Sequence, residues 1–572
     1  MSATGEKLFA EFPPVTTAEW EAAIQKDLKG ADYAKKLLWK TDEGITVKPY
    51  YRSEDAAHLE FTAARPSAGW GICEEIEEQD PAAANAAARA GVARGAEEVI
   101  FAVGAEPEVD VLTAGLEGVR THFRAGGHGL AVLRAIADFV RTRPLAGTLD
   151  LSPVLWAKEA APLARRILEA SPGFRPFAVP CWRFAEKGGT TVQELGFGLA
   201  EAAESMGALT SAGLSAEEAA GSLYLSFSTG SNYFFEIAKL RAARATWAQM
   251  MEAWGVADEE LRRPLIHCRT AIWNKTIYDP YVNLLRVATE AMSAALGGAD
   301  SILAGPFDET YRQPEDFSRR LARNTQIILK KEAMLDRVAD PAAGSYYIEW
   351  LTDAVAREAW KLLQQVEGAG GFRKAETWVF EEIEKARQAR EAAVASRRRI
   401  LVGTNQYPNL QEKMLSEIQQ PGKFPLRAAR LFEEIRLRTE RHAAAGGKTP
   451  KFLLAEMGDL KMRKARSGFC TNFFGCAGFE IITRHFETVE AAAAAAQKEQ
   501  ADAVVLCSSD PEYPALAAPL CRLLGPTPVI IAGYPADSVE ELKKAGVADF
   551  VHIRSNAAQT LASWQERVGV KG

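Results

Sequence analysis

Regular alternation between short apolar runs and longer helical patterns is the feature that most constrains the fold of this chain. From about residue 97 onward, β-rich runs separate stretches whose apolar residues recur at helical spacing. Seven runs are clear and the eighth is weaker: EEVIFAVG, VRTHFRAG, GTLDLSP, FRPFAVPCW, LYLSFSTG, PLIHCRTAIW, DSILAGPF and EAMLDRVADP. Such alternation implies parallel strands with right-handed crossovers. We therefore predict an α/β fold with a (β/α)8 TIM-type barrel in residues 51–400.

A second alternating region follows at the C-terminal end of the chain. Five strands are predicted there, at residues 451–457, 479–484, 502–508, 527–532 and 549–553. Five parallel strands with helices between them are typical of a flavodoxin-like α/β domain, which we place at residues 448–572. The linker at 401–447 is charged and ends in two glycines. At 572 residues the chain is long enough for two domains.

The N-terminal segment has a different pattern. Aromatic side chains stand among charged residues, namely Phe9, Phe12, Trp20 and Trp39. A segment of this size and polarity is poorly suited to forming a core of its own. We therefore predict that residues 1–50 form an arm that lies over the surface of a partner subunit.

Composition excludes several classes of function. The net charge is −7, which argues against a nucleic-acid or anionic-membrane partner because such binding needs a basic surface. The sequence contains no apolar stretch of membrane-spanning length and begins without the pattern of a secretory signal. These features predict a cytoplasmic protein.

Neither the cysteines nor the histidines have the spacing of a metal site. The seven cysteines form no C-x-x-C pair, and the seven histidines include no pair at i, i+4. The usual zinc and dithiol signatures are therefore missing. The sequence predicts no metal-binding residues, and cysteines that are reduced and mostly buried.

Four long segments carry a resemblance to a known family. They are HCRTAIWNKTIYDPYVNLLRVATEAMSAALGGADSI (267–302), SRRLARNTQIIL (318–329), DPAAGSYYIEWLTDAVAREAWKLLQQVEGAGGF (340–372) and GTNQY (403–407). The chain resembles the methylmalonyl-CoA mutase family of adenosylcobalamin-dependent acyl-CoA mutases nearly from end to end. The resemblance implies a substrate barrel, a linker and a terminal domain of the cobalamin-binding type.

The resemblance also implies a cobalt-ligating motif, Asp-x-His-x-x-Gly, after the first strand of the terminal domain. Aligned on the segment AGFEI, the motif falls on Lys461, Arg463 and Arg466. The guanidinium of Arg463 has no lone pair to offer a metal and cannot replace the histidine. Arg466 replaces the glycine that gives the corrin ring room. The cofactor turn is therefore degenerate in this chain.

Three further family positions are altered. Ser508 begins the segment that lies under the cofactor's nucleotide tail in the family, but no leucine follows it. Gly533 remains where the family has paired glycines, and a tyrosine comes after it. In the barrel, Arg183 falls where catalytic members have a histidine that binds the thioester carbonyl. A buried arginine there needs a carboxylate partner, for which Glu186 is the candidate.

Together these departures imply a chain without catalytic, cofactor-binding or metal-binding residues. The resemblance then implies a non-catalytic small subunit that forms a heterodimer with a catalytic large subunit, on which adenosylcobalamin is expected. Succinyl-CoA and methylmalonyl-CoA are the expected substrates of that complex. Alternatives are a subunit of an isobutyryl-CoA or ethylmalonyl-CoA mutase, a self-standing barrel enzyme with cobalamin-independent chemistry, and a scaffold that binds a mutase transiently.

Overall fold

The computed structural model of the chain describes residues 11–57, 59, 68–419 and 426–571. Phe9 of the predicted arm lies outside these residues. Within them, no helix is both long enough and apolar enough to cross a membrane.

The N-terminal segment forms short elements on the surface of the barrel. They are α1 (Thr17–Asp27), α2 (Tyr33–Leu37), β1 (Trp39–Lys40), β2 (Thr46–Val47) and α3 (Ser53–Ala56). Thr16 and Glu19 form a capping box that fixes the start of α1. Neither α1 nor α2 contains a buried residue, whereas Ile45 and Val47 are buried in the main core of the barrel. The segment is thus anchored at its C-terminal end.

Nine parallel strands form the barrel. They are β3 (Gly71–Ile76), β4 (Glu98–Ala102), β5 (Arg120–Arg124), β6 (Gly147–Leu149), β7 (Phe174–Arg175), β8 (Phe177–Pro180), β9 (Leu223–Thr229), β10 (Ile266–Thr270) and β11 (Ser301–Leu303). Their order is β7-β6-β5-β4-β3-β11-β10-β9-β8. Only Pro176 separates β7 from β8, because proline has no N–H for the ladder. The two pieces act as one strand, and the predicted eight-unit barrel is confirmed.

One predicted barrel strand is wrong. The weak run at 332–341 contains turns and no strand, and Met334 there has a φ of +56°, which a strand does not adopt. The missing unit is β3, which lies before the seven clear runs and pairs with both β4 and β11. Adjacent glutamates gave this run a polar character. In the fold Glu74 pairs with Arg323, and Glu75 pairs with Arg124.

Helices surround the strands and continue after them. They are α4 (Pro81–Ala93), α5 (Val109–Thr113), α6 (Gly129–Phe139), α7 (Ala157–Ala170), α8 (Trp182–Glu186), α9 (Thr191–Ser211), α10 (Ala216–Ser222), α11 (Tyr233–Ala253), α12 (Val282–Gly297), α13 (Asp316–Lys331), α14 (Tyr346–Gly368) and α15 (Phe372–Ala395). Long helices α9 and α11 are buried on most sides, because α14 packs over both of them.

The C-terminal region has the predicted flavodoxin-like topology. After α16 (Arg430–Ala444), the elements are β12 (Lys451–Glu456), α17 (Leu460–Gly475), β13 (Glu480–His485), α18 (Val489–Glu499), β14 (Ala503–Cys507), α19 (Tyr513–Leu524), β15 (Val529–Ala532), α20 (Val539–Lys544), β16 (Val547–Val551) and α21 (Ala557–Arg567). All five strands are parallel, in the order β13-β12-β14-β15-β16. This order reverses direction between β12 and β14, and ligands of such domains bind outside that point.

The two sheets are joined through buried contacts as well as through the chain. Trp273, which follows β10, belongs to one apolar cluster with Phe432 of α16 and Trp564 of α21. Gln565 donates a hydrogen bond of 2.8 Å to the Thr439 hydroxyl on α16. The helix after the linker therefore packs against both the barrel and the terminal domain.

Candidate functional site

The crevice outside β12 and β14 is the position at which the terminal domain would hold a ligand. Asp459 caps α17 by accepting a hydrogen bond of 2.8 Å from Met462 N. The helix begins at Leu460, so Lys461, Arg463 and Arg466 lie in its first two turns and not in the preceding loop. The position of each residue around the helix therefore decides whether its side chain points into the crevice.

Arg466 fills the crevice. Its guanidinium donates to the Tyr513 hydroxyl at 2.7 Å, to Ala532 O at 2.7 Å and to Asp510 Oδ1 at 2.6 Å. The backbone of Gly533 has a φ of +143°, and a Cβ at this residue would collide with the Arg466 guanidinium. The absence of a side chain at Gly533 therefore leaves the space that the Arg466 guanidinium occupies.

The other two cations aligned with the cofactor turn, Arg463 and Lys461, have different surroundings. Arg463 donates a hydrogen bond of 2.8 Å to Gly458 O, which is in the loop just before the helix. Lys461 is exposed. Lys464, which lies between them and Arg466, donates to the Glu456 carboxylate at 2.6 Å. Arg463, Lys464 and Arg466 are thus turned towards acceptors of their own domain, whereas Lys461 faces solvent.

Ser508 belongs to a network around one carboxylate. Its hydroxyl and that of Ser509 each donate to Glu512 Oε2 at 2.6 Å, and Asp459 N donates to the same carboxylate. The two serine hydroxyls lower the pKa of Glu512 to about 2. Ser508 N also donates to the Tyr513 hydroxyl, which links this network to that of Arg466. The structure thus brings Arg466, Ser508 and Gly533 together.

Two histidines stand at the same edge of the sheet, and each has at least one ring nitrogen hydrogen-bonded within the domain. His485 has its Nδ1 2.9 Å from Glu456 O and its Nε2 2.8 Å from Glu487. His552 accepts a hydrogen bond from Arg554 N at Nδ1, and its ring lies 5.0 Å from that of Tyr534. The crevice is closed by hydrogen bonds within the domain.

In the barrel, the predicted pairing of Arg183 with Glu186 is wrong. Arg183 on α8 forms its ion pair with Glu201 on α9, with Nη2 2.9 Å from Oε2, and its guanidinium lies over the rings of Phe184 and Phe372. Burial raises the pKa of Glu201 to about 7, although Arg183 opposes the shift. Glu186 lies three residues after Arg183 on α8, but its own partners are Ser228 and Ile272.

Glu186 faces the carboxyl-terminal mouth of the barrel. It accepts hydrogen bonds of 3.1 Å from the Ser228 hydroxyl and from Ile272 N. Ser228 is the penultimate residue of β9 and Ile272 follows β10, so the carboxylate ties two neighbouring strands together at their ends. Glu186 is one of four carboxylates that raise the pKa of Arg269, although burial opposes them.

A cavity of about 230 Å³ lies in this mouth, between the ends of β3, β10 and β11. Glu75, Arg124, Arg269 and Glu309 are among its lining residues. The Arg269 Nε and Glu309 Oε1 atoms are buried and have no hydrogen-bond partner among the residues that the structure describes. Burial raises the pKa of Glu309 to about 7, against the opposing effect of Arg269. The mouth therefore contains a carboxyl group that titrates near neutral pH.

Below the mouth, the barrel interior is polar. His122 has its Nδ1 2.8 Å from the Thr148 hydroxyl and its Nε2 3.2 Å from the Glu98 carboxylate. His267 has its Nδ1 2.9 Å from the Ser301 hydroxyl, and its ring lies 5.8 Å from that of His122. Burial lowers the pKa of His267 to about 3. This interior differs from the branched apolar layers that usually fill such barrels.

Sequence reasoning missed both the interior residues and the partners of the cations in the crevice. A local signal for the interior does exist. In RTHFR (β5) and IHCRT (β10), polar residues occupy every second position of a strand that is buried on both faces. That period places Arg120, His122 and Arg124 on one face of β5, and His267 and Arg269 on one face of β10. The partners in the crevice have no comparable local signal.

Comparisons with known proteins match the whole chain to one family. Residues 138–457 match the family model described as methylmalonyl-CoA mutase. The chain is 39% identical to the methylmalonyl-CoA mutase small subunit of Porphyromonas gingivalis, with both chains fully covered. It is 31% identical to the small subunit of Streptomyces virginiae, over 99% of each chain. It is also 31% identical to the methylmalonyl-CoA mutase of Rhizobium meliloti, over 74% of this chain and 68% of that protein.

Proposed function

Because the chain belongs to the methylmalonyl-CoA mutase family, we propose that it is the small, non-catalytic subunit of a heterodimeric methylmalonyl-CoA mutase. In this proposal a catalytic large subunit interconverts succinyl-CoA and (R)-methylmalonyl-CoA, and this chain supports its assembly and stability. The full-length relatives that carry the name of small subunit support this assignment.

The closed crevice is the observation that carries the non-catalytic part of the proposal. A corrin ring needs open space beside α17 and a lone pair for cobalt, whereas Arg466 occupies the space and Arg463 has only N–H donors. The residues present do not fit the cofactor. We therefore assign adenosylcobalamin, which supplies the radical chemistry when bound, to the large subunit.

The N-terminal arm is the proposed contact with that subunit. Phe12 is 71% exposed and Trp20 is 48% exposed, although α1 is held in place. Tyr50 donates to Glu21 on α1 at 2.7 Å, and its ring lies 5.3 Å from that of Trp20. Exposed aromatic side chains on a fixed helix are suited to interfaces, because they bury a large area at a low entropic cost.

Cofactor binding by the separate subunits tests the proposal. Equilibrium dialysis of this chain alone against adenosylcobalamin is expected to show no binding, because the crevice is filled. The purified large subunit, or the heterodimer, is expected to bind one cobalamin per catalytic chain. Micromolar binding by this chain alone, with the spectrum of cobalamin whose own base is displaced, would overturn the assignment.

One observation favours a second candidate, a barrel with cobalamin-independent chemistry of its own. Glu309 has a pKa of about 7 and lies with Arg269 in a cavity of about 230 Å³. A carboxyl group of this kind can exchange a proton near neutral pH. Mutase turnover of the heterodimer separates the candidates. A Glu309→Gln variant that assembles normally should keep kcat within about twofold if the subunit is non-catalytic, and a loss of a hundredfold would favour the second candidate.

A further inference from the structure

Three side chains of different chemistry meet inside the barrel, on three neighbouring strands. Cys73 comes from β3, Glu98 from β4 and His122 from β5, and all three residues are buried. The Cys73 Sγ, a Glu98 carboxylate oxygen and a His122 ring nitrogen lie within 4.8 Å of one another. We propose that these three side chains bind one divalent transition-metal ion, with Zn²⁺ as the best match.

The donor set selects the class of ion. A thiolate, an imidazole and a carboxylate are the three ligand types of protein-bound zinc, whereas Mg²⁺ and Ca²⁺ prefer oxygen ligands alone. Tetrahedral zinc with bonds of roughly 2.0–2.3 Å holds its ligand atoms roughly 3.5 Å apart. Because no separation in the cluster exceeds 4.8 Å, the ligand atoms need to approach one another by at most about 1.3 Å, a shift on the scale of a side-chain rotation.

The surroundings of His122 orient its ring for this role. The Thr148 hydroxyl lies 2.8 Å from Nδ1, and Nε2 points towards the Glu98 carboxylate at 3.2 Å. Without an ion, Nε2–H donates to Glu98. With an ion bound, Nε2 loses that proton, and Thr148 accepts from Nδ1–H instead. A hydrogen bond to the far nitrogen is the usual support of a metal-binding histidine.

A cavity beside the cluster offers access and room for a water ligand. Its volume is about 110 Å³, and His122, His267 and Ser301 are among its lining residues. Arg120 and Arg175 line both this cavity and a larger opening of about 680 Å³, which Glu98 also lines. In this proposal the ion would reach the cluster from the amino-terminal end of the barrel, where these two cavities lie. Three protein ligands leave a fourth position of a tetrahedral ion for water.

Charge and position together assign the ion a structural role. The thiolate of Cys73 and the carboxylate of Glu98 neutralise a divalent ion in a buried place, where an uncompensated charge would be costly. The ion would link β3, β4 and β5, and β3 also pairs with β11 next to it. Binding to the folded barrel alone stabilises it by mass action.

The test uses the full chain and metal ions alone. After removal of metals with a chelator and dialysis against Zn²⁺, mass spectrometry of the metal content is expected to give one zinc per chain. The zinc-loaded chain is expected to unfold at a higher temperature than the stripped chain. Co²⁺ in place of Zn²⁺ is expected to give a thiolate-to-cobalt charge-transfer band, which reports a metal–sulfur bond directly.

Two variants and one control locate the ion. Cys73→Ser should abolish the charge-transfer band, and His122→Gln should weaken metal binding at least tenfold. Cys268→Ser is the matched control, because Cys268 is a buried cysteine of β10 outside the cluster. A wild-type chain that retains no zinc and gives no charge-transfer band would overturn the proposal, as would a band that persists in Cys73→Ser. The measurement needs no partner subunit, so its outcome is independent of the proposed function.

Discussion

At the scale of single residues, one guanidinium decides whether the terminal domain can hold a ligand. Arg466 joins α17 to the last residue of β15, Ala532, and to Asp510 and Tyr513, which lie after β14. Hydrogen bonds of charged groups contribute about 1.5–3 kcal/mol each to stability. Opening the crevice therefore requires the loss of several such hydrogen bonds. A substitution at a neighbouring residue leaves these bonds, and thus the closed crevice, in place.

A histidine introduced at position 463 tests this view. The Arg463→His variant should still bind no cobalamin in equilibrium dialysis, because Arg466 continues to fill the space that a corrin ring needs. The double variant Arg463→His/Arg466→Gly is the matched comparison, since it removes the obstruction as well. Cobalamin binding by Arg463→His alone, with histidine ligation in the absorption spectrum, would show that the guanidinium is not the obstruction.

Glu201 gives a pH prediction with a definite sign. Its folded-state pKa of about 7 lies above its ordinary value of 4.5, so the folded protein holds a proton that the unfolded chain has lost. The contribution of Glu201 to stability is therefore fully present below pH 4.5 and is lost as the pH rises to about 7. Glu201→Gln should remove up to about 3 kcal/mol of this decrease in the free energy of unfolding.

Urea unfolding of wild type and Glu201→Gln at several pH values between 4.5 and 8 measures the effect. Glu204→Gln is the control, because Glu204 lies on the same helix outside the pair with Arg183. Parallel pH profiles for wild type and Glu201→Gln would contradict the raised pKa of this carboxyl group.

At the scale of elements, an ion pair between two helices stabilises the barrel. The pair of Arg183 with Glu201 joins the short helix α8 to the long helix α9. A helix of five residues is unstable alone, so its position depends on such contacts and on the burial of Phe184. Arg183 thus contributes to the packing of α8 against α9.

Arg183→Ala should destabilise the barrel by about 1–3 kcal/mol in urea unfolding, because it leaves the buried Glu201 without a partner. The value is below that for a fully buried pair, since the Arg183 side chain is 28% exposed. In a double-mutant cycle with Glu201→Gln, the two changes should be less costly together than the sum of each. Additive effects, or a large loss of mutase turnover with assembly intact, would contradict the packing role.

At the scale of the whole molecule, the arm and the closed crevice suit a subunit that works through contact with another chain. The helices α1 and α2 contain no buried side chain. The chain from Trp39 onward, in contrast, packs on the barrel through residues such as Ile45 and Val47. Trp39 lies 5.8 Å from Phe235, and Asp42 pairs with Arg399. The part of the arm that is available to a partner is therefore the part before Trp39.

Deletion of residues 1–37 should abolish co-elution with the large subunit in size-exclusion chromatography. The truncated barrel should keep its circular dichroism spectrum, because Ile45 and Val47 remain in the core. Trp156→Ala is the control, since Trp156 is 45% exposed and lies outside the arm. Retained co-elution after the deletion would place the interface elsewhere on the molecule.

The sequence by itself determined the two α/β units and the positions of most strands, because the periods of helices and strands are local properties of a few neighbouring residues. It also placed cations at the start of α17. Tertiary structure alone decided their partners, since Ala532 lies 66 residues after Arg466. It likewise chose Glu201 for Arg183 and gathered Cys73, Glu98 and His122 from separate strands. Such contacts between residues distant in sequence depend on strand register, barrel closure and helix packing. The local spacing of apolar residues does not encode any of these.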